Sequence, residues 1–202
     1  MQHIDLPTTC QRISAFKAKQ KVYRRFCERA AVAIILRESE QGPQVLMVKR
    51  ADRKGDPWSG DMAFPGGKHD LEDTNSLATA RRETFEEIGL DISASRLYVG
   101  RLSELTSLSH GLNRLMVITP HVFILEDEAL FNMNHEVKEV IWIPLEFFLL
   151  KSNRTKFTWQ SGILKLNVSC YFYQQFKVWG LSLTMLDRLL HIIEKPGPPL
   201  RP

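Results

Sequence analysis

Three glutamates between positions 83 and 87 are spaced so that an α-helix would bring their carboxylates together. Glu83, Glu86 and Glu87 stand at i, i+3 and i+4, which are neighbouring positions on one helix face. Like charges placed in this way repel one another, so the spacing favours a bound cation that would offset the repulsion. Magnesium and manganese are hard cations that prefer carboxylate and water ligands. The residues therefore predict a site for Mg²⁺ or Mn²⁺.

The residues before the three glutamates could help to form such a site. Arg82 stands four residues before Glu86, so its guanidinium can hold that carboxylate in one orientation. The glycine pair Gly66-Gly67 would let the backbone turn sharply and bring a carbonyl close to a cation. A solvent-facing helix with clustered charges would explain Glu86-Glu87 alone. The ordered combination of all these residues favours a catalytic site.

The stretch from Gly67 to Leu90 resembles the Nudix box, whose pattern is G-x5-E-x7-R-E-U-x-E-E-x-G-U, with U a bulky aliphatic residue. Thr84 replaces the aliphatic residue that usually follows the central glutamate. The positions that match the pattern are Gly67, Arg82-Glu83, Glu86-Glu87 and Gly89-Leu90.

Two further departures from the Nudix box pattern make the sequence similar to one branch of the family. Asp73 stands where glutamate is usual, and eight residues rather than seven separate it from Arg82. An aspartate with one extra residue is similar to the coenzyme A pyrophosphatase branch, which also has an upstream signature ending in Phe-Pro-Gly-Gly. Arg50-Ala51 and the stretch from Gly60 to Gly67 fit that signature, whereas Asp56 stands in place of its second arginine.

The resemblance implies a metal-dependent hydrolase that cuts a diphosphate linkage in a small nucleotide substrate. For the coenzyme A branch, the substrate would be coenzyme A or an acyl derivative, and the products 3′,5′-ADP and 4′-phosphopantetheine. Another nucleoside diphosphate derivative, such as a dinucleotide, a nucleotide sugar or a damaged nucleotide, is the alternative substrate. A non-catalytic Nudix fold that binds RNA or a partner is the alternative of a different class. The implied metal ligands are the Gly67 carbonyl, Glu83, Glu86 and Glu87, with Arg82 orienting a carboxylate.

Other charged and aromatic residues are candidates for substrate binding and proton transfer. Glu136, just before a predicted strand, is expected to act as the general base or an extra ligand, an ordinary exposed glutamate being the alternative. Glu104 and Glu139 are second choices for that role. Trp58 could stack on a base or a pantetheine-like group, or simply pack within its loop. The basic residues expected to hold substrate phosphates, unless they are only solvated, are Arg50, Arg53 and Lys68.

The hydrophobic pattern predicts an α+β protein, a Nudix-like α/β/α sandwich with a mixed central sheet flanked by helices. Two apolar runs, 30–36 and 44–48, are expected to pair as a hairpin, and residues 151–173 to form short strands around a turn at Ser161-Gly162. Helices are expected at 76–88, ended by Gly89, and at about 181–193. The remaining strands are expected at 97–102, 115–125 and 137–143. The residues expected to anchor the first of these helices to the sheet are Leu77, Ala78, Thr84, Phe85 and Ile88.

Composition sets the broader frame for these predictions. The chain has 202 residues and a formal net charge of +4, which suits one domain and a polyanionic ligand. Residues 1–29 are interpreted as a basic helical extension, with a helix over 7–29, followed by the Nudix domain at 30–195 and a tail at 196–202. No secretory signal or membrane span is apparent, so a cytoplasmic protein without membrane or nucleic-acid partners is expected. The extension could belong to the site or to a homodimer interface.

Overall fold

The computed structural model describes residues 4–53, 58–94, 97–108, 114–161 and 164–194. None of the helices within these ranges is long and apolar enough to cross a membrane. Short 3₁₀ helices lie at Val22–Phe26 and Lys151–Asn153. The α-helices of the described chain are α1 (Leu6–Ala15), α2 (Ser76–Ile88), α3 (Leu145–Leu149) and α4 (Gly180–Glu194).

The described strands form two sheets, a large mixed one and a small antiparallel one. In the large sheet β1 pairs in parallel with β7 and antiparallel with β2 and β4, so β1 is central. Its strands are β1 (Glu28–Arg37), β2 (Gln44–Arg50), β3 (Met62–Ala63), β4 (Gly66–Lys68), β5 (Tyr98–Arg101), β6 (Leu105–Leu108), β7 (Leu115–Ile124) and β8 (Val137–Pro144). The small sheet contains β9 (Arg154–Ser161), β10 (Leu164–Tyr173) and β11 (Phe176–Trp179).

Side chains of β1 alternate between two apolar cores because successive residues of a strand point to opposite faces. Ala31, Ala33 and Ile35 pack with Ala80 and Ile88 of α2 on one face of the sheet. On the opposite face, the core includes Ala30, Ile34 and Leu36 of β1 together with residues of α1 and α4. The predicted α+β sandwich, a mixed sheet between helices, is confirmed, and the first of these cores fixes α2 on β1.

The ambiguous region at 151–173 forms longer strands than the sequence suggested. β9 and β10 pair antiparallel over eight positions, from Arg154 opposite Tyr171 to Ser161 opposite Leu164. Alternation of polar and apolar residues over this region is weak, because much of this hairpin is exposed on both faces. The hairpins and helices predicted at 30–48, 76–88 and 181–193 are present with small shifts of their ends.

The predicted helix over residues 7–29 is wrong beyond Ala15. α1 ends there, a 3₁₀ helix covers Val22–Phe26, and β1 already begins at Glu28. The backbone of the intervening segment bonds to other parts of the fold: Lys19 N–H donates to Ser103 Oγ and Lys21 N–H to a Glu104 carboxylate oxygen. These tertiary bonds replace the i→i−4 bonds that a continuous helix would need. The predicted tail at 196–202 lies outside the described residues.

Candidate active site

Helix α2 presents its glutamates at three different depths. Glu87 is buried, Glu83 is half-buried and Glu86 is exposed. The helix is fixed at its start by Asn75, whose side-chain oxygen accepts from Leu77 N–H and Ala78 N–H, and at its end by left-handed Gly89. Phe85, expected to anchor the helix, is 59% exposed, because the buried face is rotated towards Glu87. The buried residues of α2 are Thr79, Ala80, Thr84, Glu87 and Ile88.

Glu87 is buried against the turn formed by the paired glycines. Its carboxylate accepts a hydrogen bond from Gly66 N–H at 3.0 Å, and its side chain is part of the wall of a cavity. Burial raises the pKa of Glu87 to about 8, and repulsion from Glu83 and Glu136 acts in the same direction. Hydrogen bonds and positive charges of the protein therefore do not fully offset the cost of burying the charged Glu87 carboxylate.

Glu83 lies directly over Gly67. A Cβ atom added to Gly67 would come within 2.4 Å of the Glu83 carboxyl carbon, so a side chain at position 67 would displace that carboxylate. Burial raises the pKa of Glu83, and the nearby Glu86 and Glu136 charges also raise it, while Arg82 acts in the opposite direction. Glycine at this position thus gives Glu83 its place beside the β4 backbone.

Arg82 connects the helix to the loop that precedes it. Its Nη1 contacts Glu83 Oε1 and Glu86 Oε2, each at 3.0 Å. Its Nε and Nη2 donate to the two oxygens of Asp73 at 3.0 and 2.9 Å, and Nη2 also donates to the Lys68 carbonyl. Bidentate arginine–carboxylate pairs of this kind fix orientation as well as charge. The predicted role of Arg82 towards Glu86 agrees with this geometry.

Asp73 holds the Arg82 guanidinium in place, a role that was not predicted from the sequence. Its side chain is 4% exposed, and the Arg82 guanidinium holds the pKa of Asp73 well below its usual range. The Asp70 N–H also donates to Asp73 at 2.9 Å. The signal that could have revealed this role is its place in the pattern, where an acidic residue precedes the arginine by a fixed spacing.

Replacing Asp73 by asparagine is expected to lower the free energy of unfolding by about 2–3 kcal/mol at pH 7, since a buried charge-assisted pair is lost. The pKa of Asp73 is lower in the folded state, so its contribution is present above the unfolded pKa and fades as pH falls through the folded pKa. Urea unfolding of both proteins at pH 7 and pH 3 measures the difference. The exposed Asp127→Asn variant is the control, and an equal loss for Asp73→Asn at both pH values would contradict the assignment.

The predicted base and phosphate-binding residues lie around the same glutamates. Glu136 and Arg50 affect the pKa of Glu87 by their charges, and Lys68 lines the same cavity. Lys68 Nζ contacts a Glu28 carboxylate oxygen at 2.8 Å. Arg53 Nη2 lies 3.3 Å from Glu136 Oε1, so the predicted phosphate ligand contacts the predicted base. The structure therefore brings the three basic residues and Glu136 to one region beside α2.

The two second choices for the base do not line this cavity. Glu104 is 1% exposed, and its carboxylate binds Arg24 Nε and the Lys21 N–H on the N-terminal side of the fold. Glu139 is an exposed residue of β8. Asp56, which stands in place of the arginine of the upstream signature, lies outside the described residues.

A cavity of about 460 Å³ opens beside Glu87 and Glu136. Trp58 is 37% exposed and forms part of its wall, as does Trp179, whose Nε1–H donates to Asp61 Oδ1. Sequence reasoning did not find the apolar lining, because its residues come from strands and a helix far apart in the chain. The apolar residues include Met62, Phe64, Met116, Ile118, Leu181 and Met185.

The three carboxylates do not converge on one point. Across the described ranges, no three His, Cys, Asp or Glu side chains form a group that could hold a metal ion as they stand. Arg82 Nη1 binds Glu83 and Glu86, while Glu87 turns to Gly66 N–H. The donors predicted from the sequence thus share a region, and their present partners are protein atoms.

Comparison with known proteins identifies the family. The family model for the NUDIX domain matches residues 28–161, which contain all of α2 and every strand of the large sheet described above. The chain belongs to the Nudix family. The structure of a MutT/nudix family protein from Enterococcus faecalis aligns with 89% of this Nudix chain and 65% of its own, with a TM-score of 0.58 and 16% identity. At that identity the likeness shows the fold alone.

Relatives of this Nudix chain agree with the branch predicted from Asp73 and the extra residue. Mitochondrial Nudix hydrolase 15 of Arabidopsis thaliana is 32% identical over 178 residues, covering 84% of this chain and 60% of that protein. A mitochondrial coenzyme A diphosphatase of Homo sapiens is 29% identical over 170 residues, covering 83% and 70%. The chain spans between 36% and 60% of the length of the first curated relatives it matches.

Proposed function

We propose that this protein hydrolyses a diphosphate linkage in a nucleoside diphosphate derivative, with a divalent cation as cofactor. The observation that carries the proposal is the placement of Glu87 against Gly66 and of Glu83 over Gly67, beside a cavity that Glu87 lines, with Glu86 held next to them by Arg82. Membership of the Nudix family supports it. The raised pKa values of Glu83 and Glu87 also support it, because burial makes both carboxylates costly to ionise and a nearby cation would offset that cost.

The donors at this site fit magnesium or manganese. Both ions prefer oxygen ligands, and the donors predicted at this site are all oxygens, those of three carboxylates and of the Gly67 carbonyl. A bound cation would neutralise diphosphate oxygens and lower the pKa of a water molecule. Glu83, Glu86 and Glu87 would hold it, while Arg82, fixed by Asp73, restrains the first two of these side chains.

The other charged residues would bind the substrate and accept a proton. Lys68 and Arg50 line the cavity and would attract the phosphates by charge. Glu136 lines it too, and its carboxylate can accept a proton from the attacking water. Because Arg53 contacts Glu136, a substrate phosphate that binds Arg53 would compete with that ion pair. These roles follow from position and charge.

Coenzyme A or an acyl derivative is the substrate that we favour. Its molecule combines a charged nucleotide with a long, less polar arm, and the cavity combines the Glu87 and Glu136 carboxylates with an apolar wall of methionine, leucine and isoleucine side chains. The human relative is named a coenzyme A diphosphatase. The cytoplasmic location stays a prediction, since the names of two relatives place them in mitochondria.

The Glu86→Gln variant and a substrate panel test this function. Glu86 is 51% exposed at its side chain, so the variant should fold normally and lose about 100-fold in kcat, as expected for one removed charge at a developing transition state. The panel consists of coenzyme A, NADH, ADP-ribose and 8-oxo-dGTP with Mg²⁺ or Mn²⁺. Wild-type turnover by Glu86→Gln would overturn the metal-site assignment, with exposed Glu72→Gln as the control. Cleavage of another compound but not coenzyme A would overturn the substrate alone.

A further inference from the structure

An apolar surface near the N-terminus is exposed although its backbone is well held. The 3₁₀ helix Val22–Phe26 buries none of its residues. Val22 is 94% exposed and Phe26 78%, while Leu108 of β6 and Leu115 of β7 are 59% and 49% exposed. We call these four residues the N-terminal apolar surface. Single exposed apolar residues are ordinary on proteins, but a contiguous group of them marks an interaction site.

The strand register pairs Leu108 with Leu115 and brings the segment that carries Val22 and Phe26 alongside them. Leu108 pairs with Leu115 across β6 and β7. Glu28 pairs with Met116 in the parallel β1–β7 ladder, so the residues just before Glu28 approach Leu115. The Tyr23 hydroxyl lies 2.8 Å from Thr106 Oγ1, which places the 3₁₀ helix along β6. The apolar side chains thus come from three neighbouring elements rather than from one loop.

Polar contacts fix this segment with its apolar side chains outward. The buried Glu104 carboxylate accepts from Lys21 N–H at 2.6 Å and contacts Arg24 Nε at 3.2 Å. Glu104 N–H in turn donates to the Lys19 carbonyl, and Lys19 N–H donates to Ser103 Oγ. The segment is therefore anchored through its backbone. Val22 and Phe26 are therefore exposed because the anchored backbone directs their side chains to solvent.

Positive charge surrounds the apolar side chains. Between positions 17 and 27 the chain carries five lysines and arginines and no aspartate or glutamate, and one of the five, Arg24, is ion-paired with the buried Glu104. Lys17, Lys19 and Arg25 are exposed, and the Arg25 guanidinium lies 4.6 Å from the centre of the Phe26 ring. Apolar side chains within a basic surface are the pattern of peripheral proteins that insert into the headgroup region of anionic membranes.

We propose that the N-terminal apolar surface docks on an anionic lipid bilayer. A second copy of the same surface would bring like charges together, so the charge disfavours a symmetric dimer there. A nucleic acid would use the charge, but three of the four apolar residues are aliphatic, and the nearby Tyr23 ring is held along β6 by the contact of its hydroxyl with Thr106. Docking of this kind needs no membrane-spanning helix, and it departs from the expectation of no membrane partner.

The surface and the cavity of the catalytic site lie on opposite faces of β6 and β7, because Leu108 and Leu115 alternate along the strands with cavity-lining residues. Ser107 and Met116, which line the cavity, are the immediate neighbours of Leu108 and Leu115. The docking proposal does not depend on the proposed hydrolase activity, because it uses other residues and another measurement.

Co-sedimentation of the full chain with lipid vesicles tests the proposal. We expect binding to phosphatidylcholine vesicles that contain 30% phosphatidylglycerol and little binding to pure phosphatidylcholine, with binding reduced by 0.5 M salt. The Val22→Ser/Phe26→Ser variant should bind at least about tenfold less, because two inserted apolar side chains are lost. The control is Leu71→Ser/Leu130→Ser, which changes two fully exposed leucines elsewhere and should bind like the wild type.

Three results would overturn lipid docking. Equal binding by the Val22→Ser/Phe26→Ser variant and the wild type would show that the apolar side chains do not insert. Binding of single-stranded RNA without any binding of anionic vesicles would assign the charge to nucleic acid. A dimer that the same variant abolishes, again without vesicle binding, would assign the surface to a second copy. Circular dichroism and hydrolysis of a soluble substrate, both expected to be unchanged in the variant, verify its fold.

Discussion

Replacing Glu87 by glutamine is expected to abolish most of the activity while making the metal-free protein more stable. Loss of one charged ligand should reduce kcat by about 100- to 1,000-fold, equivalent to roughly 3–4 kcal/mol of transition-state stabilisation. Glutamine keeps an oxygen that can accept the Gly66 N–H bond. It also removes a carboxylate that is 7% exposed and poorly compensated. Opposite effects on activity and stability are therefore expected from one substitution.

The gain in stability should depend on pH. The pKa of Glu87 is raised to about 8 in the folded state, above its value in the unfolded chain. Its contribution is therefore fully present below about pH 4, the unfolded pKa, and is lost as pH rises through the folded pKa. Wild-type stability without metal should fall between these two pH values, and Glu87→Gln should make that slope much smaller, with the raised pKa of Glu83 accounting for the rest. At pH 8 the variant should exceed the wild type by an amount of the order of a few kcal/mol.

Thermal unfolding in EDTA at pH 5 and pH 8, together with initial rates in Mg²⁺, measures both effects. Glu104→Gln provides the contrast, because Glu104 is an equally buried glutamate that binds Arg24. Removing that paired charge should lower stability at both pH values, the reverse of the effect at Glu87. An active Glu87→Gln protein, or one less stable than the wild type at pH 8, would contradict the assignment.

Replacing Gly66 by alanine adds one methyl group to the glycine turn. We expect this to destabilise the fold more than a methyl group added anywhere else in that turn. Gly66 has φ of +153°, a conformation that residues with a side chain rarely adopt. A Cβ atom there would lie 2.3 Å from the Ala31 carbonyl oxygen and 2.6 Å from the Val32 Cα, both in the backbone of β1. Backbone atoms of a central strand cannot move aside as a flexible side chain would. We expect a loss of about 3–5 kcal/mol, the sum of overpacking and backbone strain.

Chemical denaturation of Gly66→Ala and Gly42→Ala separates the two contributions. Gly42 has a positive φ of 88° but nothing within 4 Å of an added Cβ, so its substitution measures backbone strain alone. Gly42→Ala should therefore lose about 1 kcal/mol, and Gly66→Ala several times as much. Similar losses in the two variants would show that the contact with β1 does not matter.

The local part of the site could be predicted from the sequence because it depends on short-range spacing. Helix α2, its Gly89 end and the shared face of Glu83, Glu86 and Glu87 follow from the 3.6-residue period, whatever the rest of the chain does. The hairpin of β1 and β2 follows in the same way from two apolar runs and a turn. Residues within one helical turn or one hairpin have few ways to be arranged, so their neighbours are determined by the covalent chain.

Other features depended on residues that are distant in sequence. The rotation of α2 buries Glu87 and exposes Phe85, and it is decided by packing on β1 rather than by the period of the helix itself. The predicted N-terminal helix failed beyond Ala15 for a related reason, because Glu104 and Ser103 offered its backbone better partners. Local propensity is worth a few tenths of a kcal/mol per residue, which such tertiary bonds readily exceed.

The sequence by itself determined which residues of this protein can bind a cation and that they lie on one helix. The tertiary structure alone decided how deeply each of them is buried, and hence how strongly Glu87 resists ionisation. It also decided that an apolar cavity adjoins them, built from β3, β6, β7 and α4, and that Val22 and Phe26 face solvent. The physical reason is that segments distant in sequence decide which residues are buried from water. A pKa, a cavity and an exposed surface all depend on that burial, so a local sequence pattern does not predict them.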